Sequence, residues 1–384
     1  MFEWLIIGGG VHATTIAIKL RALGLPQHQL RIIDPNEYLM AQFDRQTKRI
    51  GMPYLRSPLV HHCHPDPFDL KKFSQIEKYA QPMRGPYQRP RLDMFMDHTF
   101  HWIKYYNLES CHIHQKALHL KRNNHYWSVT LDNHQTIKST NVVLAMGTHH
   151  TPYIPKPFQN QPDVQHIHRL TELENISASH VVGSGISAAH LTLKHLKETD
   201  RTMHLWMKKT FEIHNFDADP GWLGPKNMES FQKETCLENR IKINRNERHK
   251  GSLPNEMYVK LKNYERAGRL IIHQAPILKL ENHKIVTPHE TIVYDGIELA
   301  TGFKLDVMTQ PLIKDLVFKY KAPLIKGFPI ISTDLEWLPH LYVSGMLADL
   351  ELGPFARNIM GGRQAAQRIG EVYLEQRTYK RIAN

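Results

Sequence analysis

The chain of 384 residues is 41% hydrophobic and 22% charged, proportions that exclude a disordered or fibrous protein and leave room for two domains. A net charge of +12 and 26 histidines are its departures from the average. The Lys and Arg are spread without an arm, and no helix-turn-helix, zinc-finger or RNA-binding signature appears, so polyanionic cofactors are expected and nucleic acid is not.

Residues 2–7, FEWLII, form a buried-strand pattern, and residues 11–22 carry helical spacing. Gly8, Gly10 and Ala13 lie at the bend between them as Gly-x-Gly-x-x-Ala. The first Gly permits a tight turn and the second lets the backbone approach a pyrophosphate. The small third residue lets helix and strand pack closely. A phosphate then rests on the free N–H groups and positive end of the helix. Residues 30–33 are the next strand, and Asp34 after them is the acid expected to bind a ribose hydroxyl. This unit fits an unphosphorylated adenosine ribose, as in FAD.

LVHHCHPDP at 59–67 gathers His61, His62, Cys63 and His64. Neighbouring side chains splay apart and no second pair matches them, so no metal site is expected. Cys63, Cys111 and Cys236 include no C-x-x-C pair, which fits a reducing, cytoplasmic setting and no dithiol redox centre. No stretch approaches the roughly 18 apolar residues of a membrane span, and the N-terminus lacks a basic signal region. In QRPR at 88–91, Pro90 suits the entry to a helix over 92–102. Arg89 and Arg91 reach a phosphate or sit in solvent.

A hairpin is expected over 126–138, turning near Asn133-His134, followed by the buried strand NVVLAMGT at 141–148 with a small-residue turn at Gly147. Thr148-His149-His150 then present a cofactor-facing His or a solvated loop. At 179–190, SHVVGSGISAAH repeats the opening device with Gly183, Gly185 and Ala188, and a helix through 196. The next strand, 203–207, ends in Lys208-Lys209 where the first unit has an acid. A carboxylate repels a 2′-phosphate and a cation pairs with one, so this site favours NADP over NAD. The other reading of the lysines is a solvated strand end.

FDADPGWLGPK at 216–226 is either a plain linker or a loop in which Asp219 and Trp222 line a substrate or nicotinamide pocket. A second hairpin, 285–294, precedes DGIELATGF at 295–303, with Gly302 in the place Gly147 takes earlier. The stretch 341–369 reads as a strand reaching Gly345, a loop, and a helix starting near Pro354. A unit built twice suggests a duplicated domain. No nucleophile elbow and no phosphate loop with Lys-Ser/Thr appear.

The motifs in this order, with Pro152 to Pro155 as Pro-x-x-Pro, resemble flavoproteins with two dinucleotide-binding domains. Within them the chain is most similar to the flavin-containing monooxygenases and the N-hydroxylating lysine and ornithine monooxygenases. Gly-Ser-Gly-Ile-Ser-Ala at 183–188, including Ser187, and Ala300-Thr301-Gly302-Phe303 are typical of that branch. The resemblance implies an α/β fold of two Rossmann-like three-layer domains with appended β-meanders, of the glutathione-reductase type. FAD would occupy a discontinuous domain, 1–158 and 292–384, and NADP an insert, 159–291. Pro354 and Asn358 would stand where a helix N-terminus faces the flavin, and Arg56 or His61 beside its ring. The chain departs from the N-hydroxylating enzymes at Val11 and His12, where Pro and Asn are usual. His166-Ile167-His168 only echoes the fuller monooxygenase fingerprint.

Two dinucleotide cradles in one chain imply electrons passing from NADPH to the flavin. The expected activity is a monooxygenase, using O₂ to oxygenate a small nucleophilic amine or sulfur substrate. That chemistry asks little of acid/base side chains, and no catalytic dyad is found. The alternatives are an NADPH-dependent flavin reductase serving a protein or quinone, and an FAD-holding sensor whose basic face reads nucleic acid.

Overall fold

The computed structural model describes residues 1–75, 79–147, 151–169 and 178–383. Phe2–Ile7 is the centre of the first sheet, flanked in parallel by Leu30–Asp34 and Thr136–Leu144. His112–His114 extends one side and Leu341–Val343 the other, both parallel, and Glu336–Leu338 closes the edge antiparallel. Trp4, Leu5 and Ile6 are wholly buried, as expected of a strand covered on both faces.

The hairpin and the buried strand expected over 126–148 share a single long strand. Thr136–Leu144 pairs antiparallel with Trp127–Leu131 through its first half and parallel with Phe2–Ile7 through its second. Ala117–Arg122 completes this appended meander.

A second sheet of five parallel strands runs Leu270–His273, Met203–Trp206, His180–Val182, Ile297–Leu299, Val164–His166. Beside it stands an antiparallel meander of Lys279–Glu281, Lys284–Val286 and Thr291–Val293. Membership of these sheets therefore runs to Leu299, past residue 292, because Ile297–Leu299 is the strand that carries the chain into the Gly302 turn.

The C-terminal region differs in detail from its expectation. Gly353–Phe355 is a short 3₁₀ turn, and the long helix is Ile359–Ala383. That helix packs along Val11–Ala22. A small apolar cluster of Phe216, Ala218, Trp222, Met228, Phe231 and Phe355 joins the two units.

Two dinucleotide cradles as the candidate active site

The two Gly-rich turns are built by the same hydrogen bonds. Gly8 N donates to Ile33 O at 2.8 Å and Gly183 N to Trp206 O at 2.9 Å. Ala145 N donates to Ile7 O at 2.9 Å and Ala300 N to Val182 O at 2.8 Å. The first glycine of each turn has positive φ, +113° at Gly8 and +150° at Gly183. A Cβ on Gly183 would lie 2.6 Å from Ala300 O, and one on Gly8 would collide with Ala145 O. Gly147 and Gly302 follow with φ of +74° and +79° and open space beside them.

In the first cradle Gly9 N donates to Asp34 Oδ2 at 2.6 Å, while Asp34 Oδ1 accepts from Asn36. The carboxylate is thereby fixed at the end of its strand. Ala13 is buried in the helix that follows, Val11–Ala22. A Cβ on Gly10 would meet nothing within 4 Å, so the helix N-terminus opens onto free space, as a pyrophosphate requires.

His12, which marks a departure from the N-hydroxylating pattern, proves to be a clamp. Its Nδ1 lies 2.7 Å from Ser344 Oγ and its Nε2 2.9 Å from Asn358 O. A carbonyl only accepts, so Nε2 carries the proton and Nδ1 accepts from the Ser344 hydroxyl. Burial pushes the imidazole down to about 4, and it is neutral at physiological pH. One ring thus ties the start of the first helix to the turn at Gly345 and to the residue before Ile359–Ala383.

The second cradle repeats the turn but not the open face. Ala188 is buried behind Gly183, and Ser187 sits half-buried in the first turn of Ile186–Glu198. A Cβ on Gly185 would lie 3.2 Å from Gly251 Cα. Lys209 Nζ pairs with Glu212 and donates to Lys250 O at 3.0 Å, while Lys208 is exposed. The residues present fit a dinucleotide in the first cradle, with a turn, an open helix start and an acid; the second has the turn, the helix start and the exposed Lys208, but Gly251 stands against its face and Glu212 takes Lys209.

The side chains expected beside the flavin meet at the junction of the units. Arg56 donates to the carbonyls of His214, Asn215 and Phe216, to Ser252 Oγ, and to Asp217 Oδ1 at 2.6 Å. Asn358 Nδ2 donates to the other oxygen, Asp217 Oδ2, at 2.8 Å. Asp217, rather than the expected Asp219, therefore joins both predicted residues; nothing in the local pattern distinguishes the two acids. Asp219 instead caps the turn Pro220–Leu223. Trp222 is buried and donates to Glu247 Oε2 at 2.9 Å. Pro354 is buried and its carbonyl accepts from Arg248 Nε. Arg248 and Arg357 both grip the buried Asp349, and the two cations hold its carboxyl below the usual range against the opposing effect of burial.

The His-rich segment is held from outside. Arg363 donates to the carbonyls of His62, His64 and Pro65. His64 stacks on Trp102 at 3.9 Å, and Asp69 accepts from both Trp102 and His98. His61 is buried, and burial followed by the Arg363 charge takes its ring down to about 4. Thr148-His149-His150 lie outside the described residues.

An FAD-NAD(P)-binding family profile matches residues 5–149, and that of L-lysine 6-monooxygenase/L-ornithine 5-monooxygenase matches residues 97–305. No curated protein matches the chain in sequence. Among solved structures, the ornithine N-hydroxylase of Kutzneria sp. 744 is similar with a TM-score of 0.77 at 14% identity, over 98% of this chain and 100% of that one. L-lysine 6-monooxygenase of Pseudomonas syringae gives 0.70 at 16% identity, over 97% and 99%. Bacillithiol disulfide reductase of Bacillus cereus gives 0.63 at 14% identity, over 98% and 99%, so the fold by itself is shared with reductases. The family profile, which spans more than half of the chain, separates the two readings. With its two cradles this is an FAD-dependent, NADPH-using oxidoreductase of the monooxygenase kind, and it belongs to the L-lysine 6-monooxygenase/L-ornithine 5-monooxygenase family.

Proposed function

We propose that the protein is a cytoplasmic N-hydroxylase of a small primary amine, taking one oxygen atom from O₂ at the expense of NADPH. The observation that carries this reading is the pair of cradles, built by matching hydrogen bonds and joined through Asp217 to Arg56 and Asn358. In this reading residues 1–158 and the C-terminal piece hold FAD, through Gly8, Gly10, Ala13, Asp34, Gly147, Gly345, Pro354 and Asn358. The insert from 159 holds NADP, through Gly183, Gly185, Ser187, Ala188, Lys208, Lys209 and Gly302. When bound, FAD supplies the hydride acceptor and the oxygen chemistry.

The chain's own part is placement and exclusion of water. His12 fixes the first helix start against Ser344 and Asn358. Arg56, through its contacts with His214, Asn215, Phe216 and Asp217, fixes the loop 214–217 over the first unit. A cavity of about 700 Å³ lies between helices Val11–Ala22 and Ile359–Ala383, residues 63–65 and residues 223–232, within the range of small-molecule sites. Cys63 and His64 line one side, Leu223 and Met228 the other, with Lys19, Arg363 and Arg368 as cations and with Glu229 and Glu371 as the carboxylates to receive an ammonium group. We assign the amine to this cavity.

The experiment is product analysis under air with NADPH and a panel of diamines, basic amino acids and thioethers. The expected result is an amine that gains one oxygen as a hydroxylamine, with NADPH consumed in step. NADPH oxidation that yields only peroxide with every amine, but passes electrons to a quinone, would reverse the assignment in favour of a reductase.

A further inference from the structure

A cavity of about 280 Å³ lies between helix Ile186–Glu198 of the second unit and residues 51–56 of the first. Ile186, His190, Leu193 and Lys197 reach it because spacings of three and four residues put them on one stripe of the helix. Lys260 comes from the neighbouring helix Asn255–Arg266, and Arg84 and Arg89 from the first unit. Arg89 belongs to the QRPR stretch, whose arginines are free by sequence to meet a phosphate or solvent. Its companion Arg91 pairs with Asp93 instead.

The cations here outnumber their partners. Glu256 serves both arginines, at 3.6 Å from Arg84 Nε and 3.2 Å from Arg89 Nη1. Glu198 also lines the cavity. Lys197 and Lys260 have no ion-pair partner among the described residues. His190 is 8% exposed, lines the cavity, and its ring has no hydrogen-bond partner among the described residues. Burial, then the charges of Lys260 and Lys197, push that ring down to about 4. Lys260 is lowered too, first by burial, then by Arg84 and Lys197. Such mutually repelling groups around one cleft are stabilised when an anion enters.

We propose that this cavity binds a small polyanion, a phosphate ester or a di- or tricarboxylate, between Lys197, Lys260 and Arg84, with His190 donating its one N–H. A neutral imidazole always keeps one such donor. The volume suits a small anion, lying just under the ~300 Å³ at which sites for larger ligands begin. Both units line the cavity, so the anion bridges them, with Lys197 in the last turn of the helix.

The test is calorimetric titration of the FAD-loaded protein with inorganic phosphate and with citrate, at two salt concentrations. Binding of either probe, weakened by salt, is expected, and the preferred probe tells the two anion chemistries apart. Lys197→Glu and Lys260→Glu each weaken it by about tenfold or more, as loss of a close charge pair implies. Lys260→Arg retains it, as does Lys226→Glu on a different helix, and NADP⁺ affinity stays at the wild-type value in all four. The proposal is overturned if the wild type binds neither probe or if the Glu variants bind as well as it does. It is equally overturned if NADP⁺ displaces the probe, since the cations then serve the nucleotide.

Discussion

Gly8 and Gly10 stand two residues apart and answer to different demands. Gly8 has φ of +113°, and its missing Cβ makes room for Ala145 O on the neighbouring strand. Gly8→Ala must part Phe2–Ile7 from Thr136–Leu144 and is expected to cost about 2–3 kcal/mol in urea denaturation of the apoprotein. Gly10 has ordinary φ of −82° as the helix N-cap and empty space where its Cβ would go. Gly10→Asp should therefore leave the apoprotein melt within about 1 kcal/mol, because Asp is itself a good N-cap. It should nevertheless abolish the yellow colour, because its charge stands where a pyrophosphate would. A Gly10→Asp protein that still purifies with FAD would place the flavin elsewhere. This difference is only half legible in the sequence. The Gly-x-Gly spacing gives the turn to the first residue and the pyrophosphate to the second, but the atom that a Gly8 Cβ would meet, Ala145 O, lies far along the chain and no local pattern points to it.

At the scale of elements, residues 248–252 are held from several sides. Arg248 grips Asp349, His249 N donates to Asp217 O at 2.8 Å, and Arg56 reaches Ser252 Oγ. The His249 ring stacks on His214 at 3.6 Å. Together these seat Gly251 against the face of Gly185 that a pyrophosphate approaches. NADP⁺ must then move the loop, and amide exchange over 249–253 is expected to quicken when NADP⁺ is added, with no change at 8–12. Unaltered exchange in that loop under saturating NADP⁺ would mean that the nucleotide enters without touching Gly251. None of this is readable from the sequence, in contrast to Phe2–Ile7 and Val11–Ala22, whose bounds match their patterns. Alternation and helical spacing are local, and they declare themselves. The partners of Arg56, the pairing of Ile297–Leu299 into the second sheet, and the Lys250 carbonyl that Lys209 meets all come from packing between segments that no local pattern encodes.

For the whole molecule, the histidine content becomes an acid-stability property. Burial is the first cause that lowers His12, His61, His166 and His190 to about 4, and His62 and His180 to about 3. In the unfolded chain each would titrate near its ordinary ~6.5. Between those values the unfolded state binds more protons than the folded one, so stability rises with pH across the window. The contribution of each ring is fully present above pH ~6.5 and is lost as pH falls through 6.5 toward 4 and then 3. Asp349 and Asp69 are lowered from the carboxylate side, Asp69 to about 2, and their contribution is lost only at still lower pH. The histidines therefore set the upper edge of acid unfolding. They are spread over both sheets: His12 follows the first cradle's turn, while His166 and His180 lie in strands of the second. Neither unit should outlast the other in acid. The expected melting curve is level between pH 7 and 8 and drops continuously below about pH 6.5, with flavin release and loss of secondary structure together. A melting temperature that holds level down to about pH 4.5 would show that these rings gain solvent access before the fold gives way. A drop in which flavin leaves well before secondary structure would confine the sensitive rings to the first unit, with His12, His61 and His62 then accounting for it and His180 not.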